Sequence, residues 1–190
     1  MVVNDASSDE TAQVCATFPS IAILNHWINL GAGAATKTGI DYAISQNAKY
    51  IVTIDADGQH SPSDIERMAE ALENNNADLV VGSRFLRSNP IPNSRIFYNQ
   101  IGNLVSLALT GKYLTDSQSG LKIMTSDLAK KISIEYNGFE FSMEIIKNAK
   151  LHKAKIIEIP VNVTYTQETT EKGQNLNSGI NMIKRILSPF

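Results

Sequence analysis

Short runs of β-branched and other apolar residues alternate with helical patterns along this chain, and this alternation limits the folds open to it. The clearest run, residues 50–54, is a continuous apolar stretch of the kind found in buried strands of parallel sheets. The alternation predicts an α/β fold, with a mostly parallel sheet flanked by helices. We predict strands at residues 2–3, 21–24, 50–54, 79–81, 121–124 and 156–164, and helices at residues 10–17, 31–46, 94–109 and 139–150, with one more beginning at residue 61.

Length and composition fit one globular domain, with 190 residues of which 43% are hydrophobic. The net charge of −2 gives no support for a general nucleic-acid binder, which normally has a strongly basic face, so we expect no nucleic-acid partner. The single cysteine, Cys15, excludes an internal disulfide framework and a cysteine-based zinc site. No apolar run reaches the roughly 18 residues of a membrane span and no signal peptide is recognisable, which predicts a cytoplasmic location.

The two ends of the chain depart from the alternation. Only Val2 and Val3 form the first apolar run, so we expect a domain that is N-terminally incomplete and lacks a preceding βα unit. Residues 167–190 are predicted to be a polar loop followed by a short amphipathic helix that bears two basic residues. That helix either lies on a membrane surface or packs on its own domain, and the whole of residues 1–190 is expected to form a single domain.

Charged residues follow three of the predicted strands. Asp5 follows the first, Asp55 and Asp57 follow the strand at residues 50–54, and Arg84 follows the strand at residues 79–81. Because ligands of open α/β sheets bind at the carboxyl ends of the strands, we expect these side chains to face one edge of the sheet.

The run Asp55-Ala56-Asp57-Gly58-Gln59-His60 carries the sharpest local signal. Two carboxylates two residues apart, with the carbonyl oxygen of Gln59, offer the oxygen ligands that Mg²⁺ or Mn²⁺ prefers. The alternative is a solvated strand-to-helix loop. An EF-hand is excluded because His60 stands where that loop needs glycine, and a phosphatase with an aspartyl nucleophile fits poorly because its motif follows the first strand of the fold.

Two predicted helix starts have distinctive residues. The glycine-rich segment 29–35 can present backbone N–H groups to a phosphate, which makes Gly31 a candidate phosphate-binding residue, or it can pack tightly on the sheet. At the other start, Ser61 is predicted as the N-cap, Pro62 as the first helical residue and Asp64 as the capping-box partner.

Two later segments carry candidate acids and cations. In residues 116–122, Lys122 is placed to meet an anionic group and Asp116 to accept a proton or a sugar hydroxyl, unless the segment is simply a polar loop. Glu140 and Glu144 lie four residues apart on one helix face. They form either a partly buried carboxylate pair, whose pKa burial would raise, or a solvated face.

The remaining polar and aromatic candidates are given structural interpretations. His26, His60 and His152 lack the spacing of metal ligands. Trp27 is predicted to pack against the protein rather than to serve as a stacking platform, and Cys15 is predicted to be a small buried residue.

Seven segments occur in this chain order: VVNDASSDET, NLGAGAATKTG, IVTIDADGQHSP, LVVGSRF, DSQSGLKIM, FEFSMEI and IIEIPVNVTY. Together they resemble family 2 glycosyltransferases of GT-A fold, most closely the branch of dolichol-phosphate mannosyltransferase and related polyprenyl-phosphate glycosyltransferases. The resemblance runs from residue 2 to about residue 165 and implies a GT-A, Rossmann-like fold. Relatives begin with an additional strand that lines the nucleotide-base pocket, which this chain lacks.

The resemblance implies a donor site and a metal site. Asp5 corresponds to the acid that contacts the nucleoside of the sugar donor. Asp55 and Asp57 match the D-x-D pair that holds a divalent ion, Mg²⁺ or Mn²⁺, and the donor diphosphate. Gln59 matches a further metal ligand. The donor would be a GDP- or UDP-sugar.

The resemblance also implies an acceptor site. Arg84, Ser119 and Lys122 resemble positions that bind the acceptor or donor phosphate. Asp116 and Glu140 resemble acceptor-side acids, either of which would assist proton removal. The implied activity is inverting transfer of a hexose to a lipid phosphate or glycan acceptor, foremost a polyprenyl phosphate, at the cytoplasmic face of a membrane. A catalytically inactive binding module is the alternative, and a nucleotidyltransferase is a weaker one because no lysine-bearing glycine-rich signature stands near the N-terminus.

Overall fold

The computed structural model describes residues 1–89, 91, 93–138 and 140–164. Within them, each predicted strand and helix is present, with most boundaries shifted by one or two residues. The structure adds a short helix at Ser126–Ala129 that was not predicted, and the strand predicted at residues 156–164 ends at Pro160. The strands are β1 (Val2–Asn4), β2 (Ile23–Asn25), β3 (Tyr50–Thr53), β4 (Leu79–Ser83), β5 (Lys122–Thr125) and β6 (Ile156–Pro160). The helices are α1 (Thr11–Ala16), α2 (Ala32–Ser45), α3 (Ser63–Asn74), α4 (Asn93–Thr110), α5 (Ser126–Ala129) and α6 (Phe141–Leu151).

The described strands form two sheets. β1 and β2 pair in parallel, and β3, β5, β4 and β6 form a four-stranded sheet in that order. β4 and β6 are parallel, whereas β5 runs antiparallel to both β3 and β4. Three of the four strands therefore share one direction, which confirms the predicted α/β fold with a mostly parallel sheet.

The antiparallel strand β5 has a consequence for the polar residues that precede it. Its first residue, Lys122, pairs with Thr53 at the carboxyl end of β3 and with Val81 near the carboxyl end of β4. The loop at residues 111–121 therefore arrives at the same edge of the sheet where β3 and β4 end.

The core lies on both faces of the four-stranded sheet. Alternate residues of β4 point to opposite faces, so Leu79 and Val81 pack with α2 and α6 while Val80 packs with α3. All three side chains are fully buried. Helices on both faces hold the sheet rigid, which fixes the loops at its carboxyl edge.

The start of α3 differs from the predicted capping box. The Ser61 hydroxyl pairs with the Ser63 hydroxyl at 2.8 Å instead of capping the helix. The buried Asp64 carboxylate instead accepts hydrogen bonds from the Arg67 guanidinium and, at 2.7 Å, from the Asn162 amide. The capping-box prediction is wrong because this carboxylate is turned toward the chain beyond β6.

No helix in the described part of the chain is long and apolar enough to cross a membrane. The predicted polar loop and C-terminal helix at residues 167–190 lie outside the described residues.

Candidate active site

Three polar segments meet at the carboxyl edge of the four-stranded sheet. Asp55 follows β3, Arg84 follows β4, and the loop before β5 crosses between them. The Thr53 hydroxyl donates a hydrogen bond to the Gly120 carbonyl at 3.0 Å, which ties this loop to β3. A Cβ atom on Gly120 would lie 2.1 Å from Asp55 Oδ2, so only glycine lets the loop pass this close to the carboxylate.

The electrostatics of Asp55 favour a cation beside it. Its side chain retains exposed surface at the sheet edge although protein atoms surround it on most sides. Burial, and then the negative charge of Asp57, raise the pKa of Asp55, while His60, Lys122 and Arg84 act in the opposite direction. A divalent cation between the two carboxylates would relieve both unfavourable effects.

The residues predicted as metal ligands lie on one short turn. Asp57 Oδ1 accepts a hydrogen bond from the backbone amide of Gln59 at 3.0 Å. The backbone carbonyl of Gln59, a buried residue, accepts a hydrogen bond from the backbone amide of Thr164 at 3.0 Å. Among the described residues, no group of three or more His, Cys, Asp or Glu side chains has metal-binding geometry. Two carboxylates and a carbonyl oxygen are ligand types that Mg²⁺ and Mn²⁺ accept, and both ions commonly take further ligands from substrate phosphates.

Arg84 and Asp116 form a bidentate ion pair. Arg84 Nε and Nη2 donate to the two oxygens of Asp116, each at 2.7 Å, and the Arg84 amide donates to Oδ2 at 2.9 Å. Asp116 is fully buried, whereas the Arg84 side chain is 15% exposed. This geometry orients the guanidinium. The predicted role of Asp116 in proton removal would require the ion pair to open first.

The carboxylate of Glu158 on β6 supports this ion pair. It accepts hydrogen bonds from the Thr115 amide at 2.9 Å and the Asp116 amide at 3.0 Å. The side chain of Asn103 accepts from the Ser117 amide at 3.0 Å. Glu158 lies in the segment IIEIPVNVTY, but sequence reasoning did not single it out, because a lone carboxylate on a strand does not show which distant loop it meets.

Lys122 is directed inward. Its ammonium is fully buried and donates to the carbonyl of Ser119 and, at 2.5 Å, to the hydroxyl of Ser142. Burial lowers the pKa of Lys122 to about 8, although Asp116 and Asp55 act to raise it. A phosphate contact at Lys122 or at the buried Ser119, as predicted, would require this hydrogen-bonded cluster to rearrange.

Both candidate glutamates near α6 are buried, so their alternative interpretation as a solvated helix face is wrong. Glu140 is 5% exposed and Glu144 is 8% exposed. Glu140 folds back over Gly138, where an added Cβ atom would lie 2.2 Å from Glu140 Oε2. The Glu144 carboxylate accepts a hydrogen bond from the backbone amide of Tyr136 at 3.0 Å. Burial raises the pKa of Glu144.

Asp5 is engaged with the turn that follows β2 instead of with Asp55. It accepts hydrogen bonds from the Leu30 amide at 2.9 Å and the Gly31 amide at 2.7 Å, and lies 2.6 Å from His26 Nδ1. Burial acts to raise the pKa of Asp5, but the hydrogen bonds from Leu30, His26 and Gly31 hold it below its ordinary value. The contact to the donor nucleoside stays a prediction.

The glycine-rich turn is packed tightly, which is the second of the two interpretations left open above. Gly33 donates its amide to the Asn137 carbonyl at 2.8 Å, and a Cβ atom on Gly33 would lie 2.0 Å from the Tyr136 carbonyl oxygen. The Gly31 amide is likewise taken by Asp5. A donor phosphate at Gly31 would have to displace that hydrogen bond.

Two residues with structural interpretations have unexpected surroundings. His60 lies close enough to Arg84, Asp55 and Asp57 for their charges to act on it, and burial lowers its pKa. Its Nδ1 atom is buried without a hydrogen-bond partner among the described residues. Trp27 is 100% exposed, so the prediction that it packs against the protein is wrong.

Comparison with known proteins places the chain among sugar transferases. It is 34% identical to the UDP-N-acetylglucosamine–dolichyl-phosphate N-acetylglucosaminyltransferase of Methanococcus voltae, over 88% of this chain and 68% of the relative. It is 31% identical to the undecaprenyl-phosphate mannosyltransferase of Micrococcus luteus, over 94% of this chain and 75% of the relative.

The fold is similar to that of solved glycosyltransferase structures. Glucosyl-3-phosphoglycerate synthase from Mycobacterium tuberculosis, in complex with Mn²⁺, uridine diphosphate and glucosyl-3-phosphoglycerate, matches with a TM-score of 0.67 at 12% identity, over 97% of this chain and 64% of the solved chain. Its complex with phosphoglyceric acid matches with a TM-score of 0.68 at 12% identity, over 98% of this chain and 65% of the solved chain.

These structural neighbours show a GT-A fold, as predicted. The sequence profile described as "Glycosyl transferase family 2" matches residues 1–130, more than half of the chain. With that match and two relatives above 30% identity, the protein belongs to glycosyl transferase family 2.

Proposed function

We propose that this protein transfers a hexose from a GDP- or UDP-sugar to a polyprenyl phosphate, with inversion at the anomeric carbon. The observation that carries the proposal is the meeting of Asp55, Asp57 and Arg84 at the carboxyl edge of one sheet, where the charges of Asp57 and Arg84 both act on Asp55. The acceptor class is supported by the names of the Methanococcus voltae and Micrococcus luteus relatives.

The D-x-D turn would hold the donor through a divalent ion. Asp55 and Asp57 would supply carboxylate oxygens and Gln59 a carbonyl oxygen. Bound Mg²⁺ or Mn²⁺ would supply charge stabilisation to the departing nucleoside diphosphate. The choice of a divalent ion is supported by the residue types present and by structural neighbours solved with Mn²⁺ and uridine diphosphate.

The acceptor side would depend on orientation more than on proton removal. An oxygen of the acceptor phosphate forms the new bond to the anomeric carbon, and the bond from that carbon to the diphosphate oxygen breaks, so the electron pair leaves with the nucleoside diphosphate. An acceptor that is already anionic needs little base assistance. Arg84, held by Asp116, is oriented to bind an anion. Glu140 stays our candidate for proton removal when the acceptor is a hydroxyl.

The test is hexosyl transfer to undecaprenyl phosphate in detergent, measured as labelled lipid product. We expect product with wild type and Mn²⁺, and a loss of at least about a hundredfold for Asp55→Asn, because removal of one carboxylate weakens metal and diphosphate binding together. Asp41→Asn, on the exposed surface of α2, is the control that should retain activity. Product formation by Asp55→Asn at the wild-type rate would refute the proposal.

A second candidate function is a sugar-nucleotide-binding module without transfer activity. It is favoured by the closed ion pair that occupies both oxygens of Asp116. Such a module would bind nucleoside diphosphate in the presence of Mn²⁺ but would neither transfer nor hydrolyse the sugar.

A further inference from the structure

An exposed apolar cluster stands on the turn between β2 and α2, and no step of the proposed function uses it. We define the apolar tip as Trp27, Ile28 and Leu30. Their exposed fractions are 100%, 66% and 40%. Full exposure of the only tryptophan in the chain is unusual, since aromatic side chains normally bury most of their surface. Clustered exposed apolar residues commonly mark an interaction site.

The turn that carries the apolar tip is held at both ends. Before the tip, the His26 amide donates to the Asn4 carbonyl at 2.9 Å. After Ile28, the Asn29 side chain donates to the Asp5 carbonyl at 3.2 Å and the Leu30 amide donates to the Asp5 carboxylate at 2.9 Å. The exposed side chains therefore stand on a fixed backbone, which reduces the entropy that a partner would have to remove on binding.

The apolar tip is joined to the candidate active site in two ways, directly to Asp5 through the Leu30 amide and, through Gly31, to Asn137. Gly31, which follows the tip directly, packs so closely on Asn137 that an added Cβ atom would lie 2.3 Å from the Asn137 carbonyl oxygen. Asn137 is three residues before the buried Glu140. The tip therefore adjoins Asp5, which the resemblance places at the donor nucleoside, and is one packing contact away from the segment that leads to Glu140.

The composition and size of the apolar tip favour a lipid surface over a protein. Residues 27–31 contain no Lys, Arg, Asp or Glu. Three such side chains expose on the order of 400 Å², about half of the roughly 800 Å² that each partner contributes to a stable protein interface. Tryptophan is enriched where proteins meet the headgroup region of a membrane, and isolated apolar side chains can enter that region without a complementary pocket.

We infer that the apolar tip inserts into a lipid bilayer surface and so holds the candidate active site beside the membrane. This inference rests on the proposed function, because contact with a membrane would serve the enzyme only if its acceptor, a polyprenyl phosphate, is presented from that membrane. The physical claim, insertion of an uncharged tip, stands on the exposure and fixed geometry of the three residues.

Trp27 itself reports on the inference, because it is the only tryptophan. We expect its fluorescence emission to shift to shorter wavelength, and its quenching by iodide to fall, when phosphatidylcholine vesicles are added. Vesicles with one quarter phosphatidylglycerol should give the same shift, since the tip carries no charge. An unchanged emission with both vesicle types would overturn the inference.

Variants test whether the tip is the site of contact. Trp27→Ser should lower recovery in vesicle flotation by about tenfold, from loss of its buried apolar area, and Ile28→Ser should reduce the fluorescence shift. The matched control is Phe18→Ser, because Phe18 is 56% exposed but lies before the start of β2, whereas the tip follows its end. Circular dichroism checks folding. Equal losses for Trp27→Ser and Phe18→Ser would contradict the inference.

Other occupants of the tip predict different results. A second copy of the chain predicts a concentration-dependent emission shift and a dimer in sedimentation without vesicles. Stacking on the donor base alone predicts quenching by uridine or guanosine diphosphate together with an emission that vesicles leave unchanged. Either result would overturn the inference. The vesicles contain no polyprenyl phosphate or nucleotide, so lipid binding is measured separately from transfer, and either claim can fail while the other stands.

Discussion

Arg84 and Asp116 show how single residues set the geometry of the candidate site. Asp116 is fully buried, and each of its oxygens accepts from the Arg84 guanidinium. Removal of either partner leaves a buried charge without its counter-ion, which is far more costly than the loss of an exposed ion pair. The ion pair therefore stabilises the fold as well as orienting Arg84 in the candidate active site.

We predict that Arg84→Met lowers the free energy of unfolding by about 3 kcal/mol, because it leaves the Asp116 carboxylate buried and unpaired. Urea denaturation at pH 7 measures the change. The matched control is Lys37→Met, which removes a solvent-exposed ion pair with Asp41 and should cost about 0.5 kcal/mol or less. Similar losses in the two variants would contradict the burial argument.

The burial of Lys122 makes the free energy of unfolding depend on pH. Its pKa is about 8 in the folded protein and near 10.5 in the unfolded chain, because burial disfavours the charged form. Between these two pH values the unfolded chain holds the proton and the folded protein does not, so this group makes stability rise with pH across that window. Below pH 8 the full cost of about 3 kcal/mol is present.

The measurement is urea denaturation of wild type and Lys122→Met at several pH values from 7 to 10.5. Because other titrating groups cancel in the difference, the wild type should gain about 3 kcal/mol relative to the variant across this range. A difference that does not vary with pH would mean that Lys122 titrates alike in both states.

At the scale of elements, the start of α2 depends on close backbone contact with residues 136–137. Gly33 donates to the Asn137 carbonyl at 2.8 Å and has no room for a side chain, since the Tyr136 carbonyl oxygen would lie 2.0 Å from its Cβ atom. Gly39 on the same helix is different, because its Cβ atom would meet only side chains, the nearest being Val3 Cγ2 at 3.3 Å.

We therefore predict that Gly33→Ala lowers the free energy of unfolding by about 2–3 kcal/mol, because backbone must move. Gly39→Ala is the control and should change it by less than about 1 kcal/mol, since alanine also favours the helix. Thermal and urea denaturation measure both. If the two variants are equally stable, α2 does not depend on the contact with residues 136–137.

The sequence predicted those parts of the site that depend on local pattern. Asp55 and Asp57 after a buried strand, and Arg84 after the next, needed only strand periodicity and the rule that ligands bind at the carboxyl edge. The ion pair of Arg84 with Asp116 could not be foreseen, because the two residues are 32 positions apart in the sequence. They meet because β5 runs antiparallel to β4, which brings the loop before β5 to the end of β4.

The surroundings of individual side chains were also beyond the sequence pattern. Trp27 has the residue type of a core side chain, yet the hydrogen bonds of its turn hold it outward. The amides of Gly31 and Gly33 could equally have faced a phosphate, but Asp5 and the Asn137 carbonyl, distant in sequence, take them. Such outcomes depend on which distant groups compete for each donor.

For the whole molecule, rigid layers place a few charged groups at one edge of a sheet. β3, β4 and β5 bring Asp55, Arg84 and the loop at residues 111–121 together there, and the core on both faces fixes that arrangement. The central claim is that Asp55 and Asp57 bind a divalent ion that in turn binds the diphosphate of a sugar donor.

Isothermal titration calorimetry of uridine and guanosine diphosphate, with and without Mn²⁺, tests this claim most directly. We predict that one of the two binds wild type only when Mn²⁺ is present, and that Asp57→Ala abolishes detectable binding or weakens it at least about thirtyfold, equivalent to about 2 kcal/mol. Asp41→Ala, on the surface of α2, should bind like wild type. Mn²⁺-independent binding, or unchanged Mn²⁺-dependent binding by Asp57→Ala, would contradict the account.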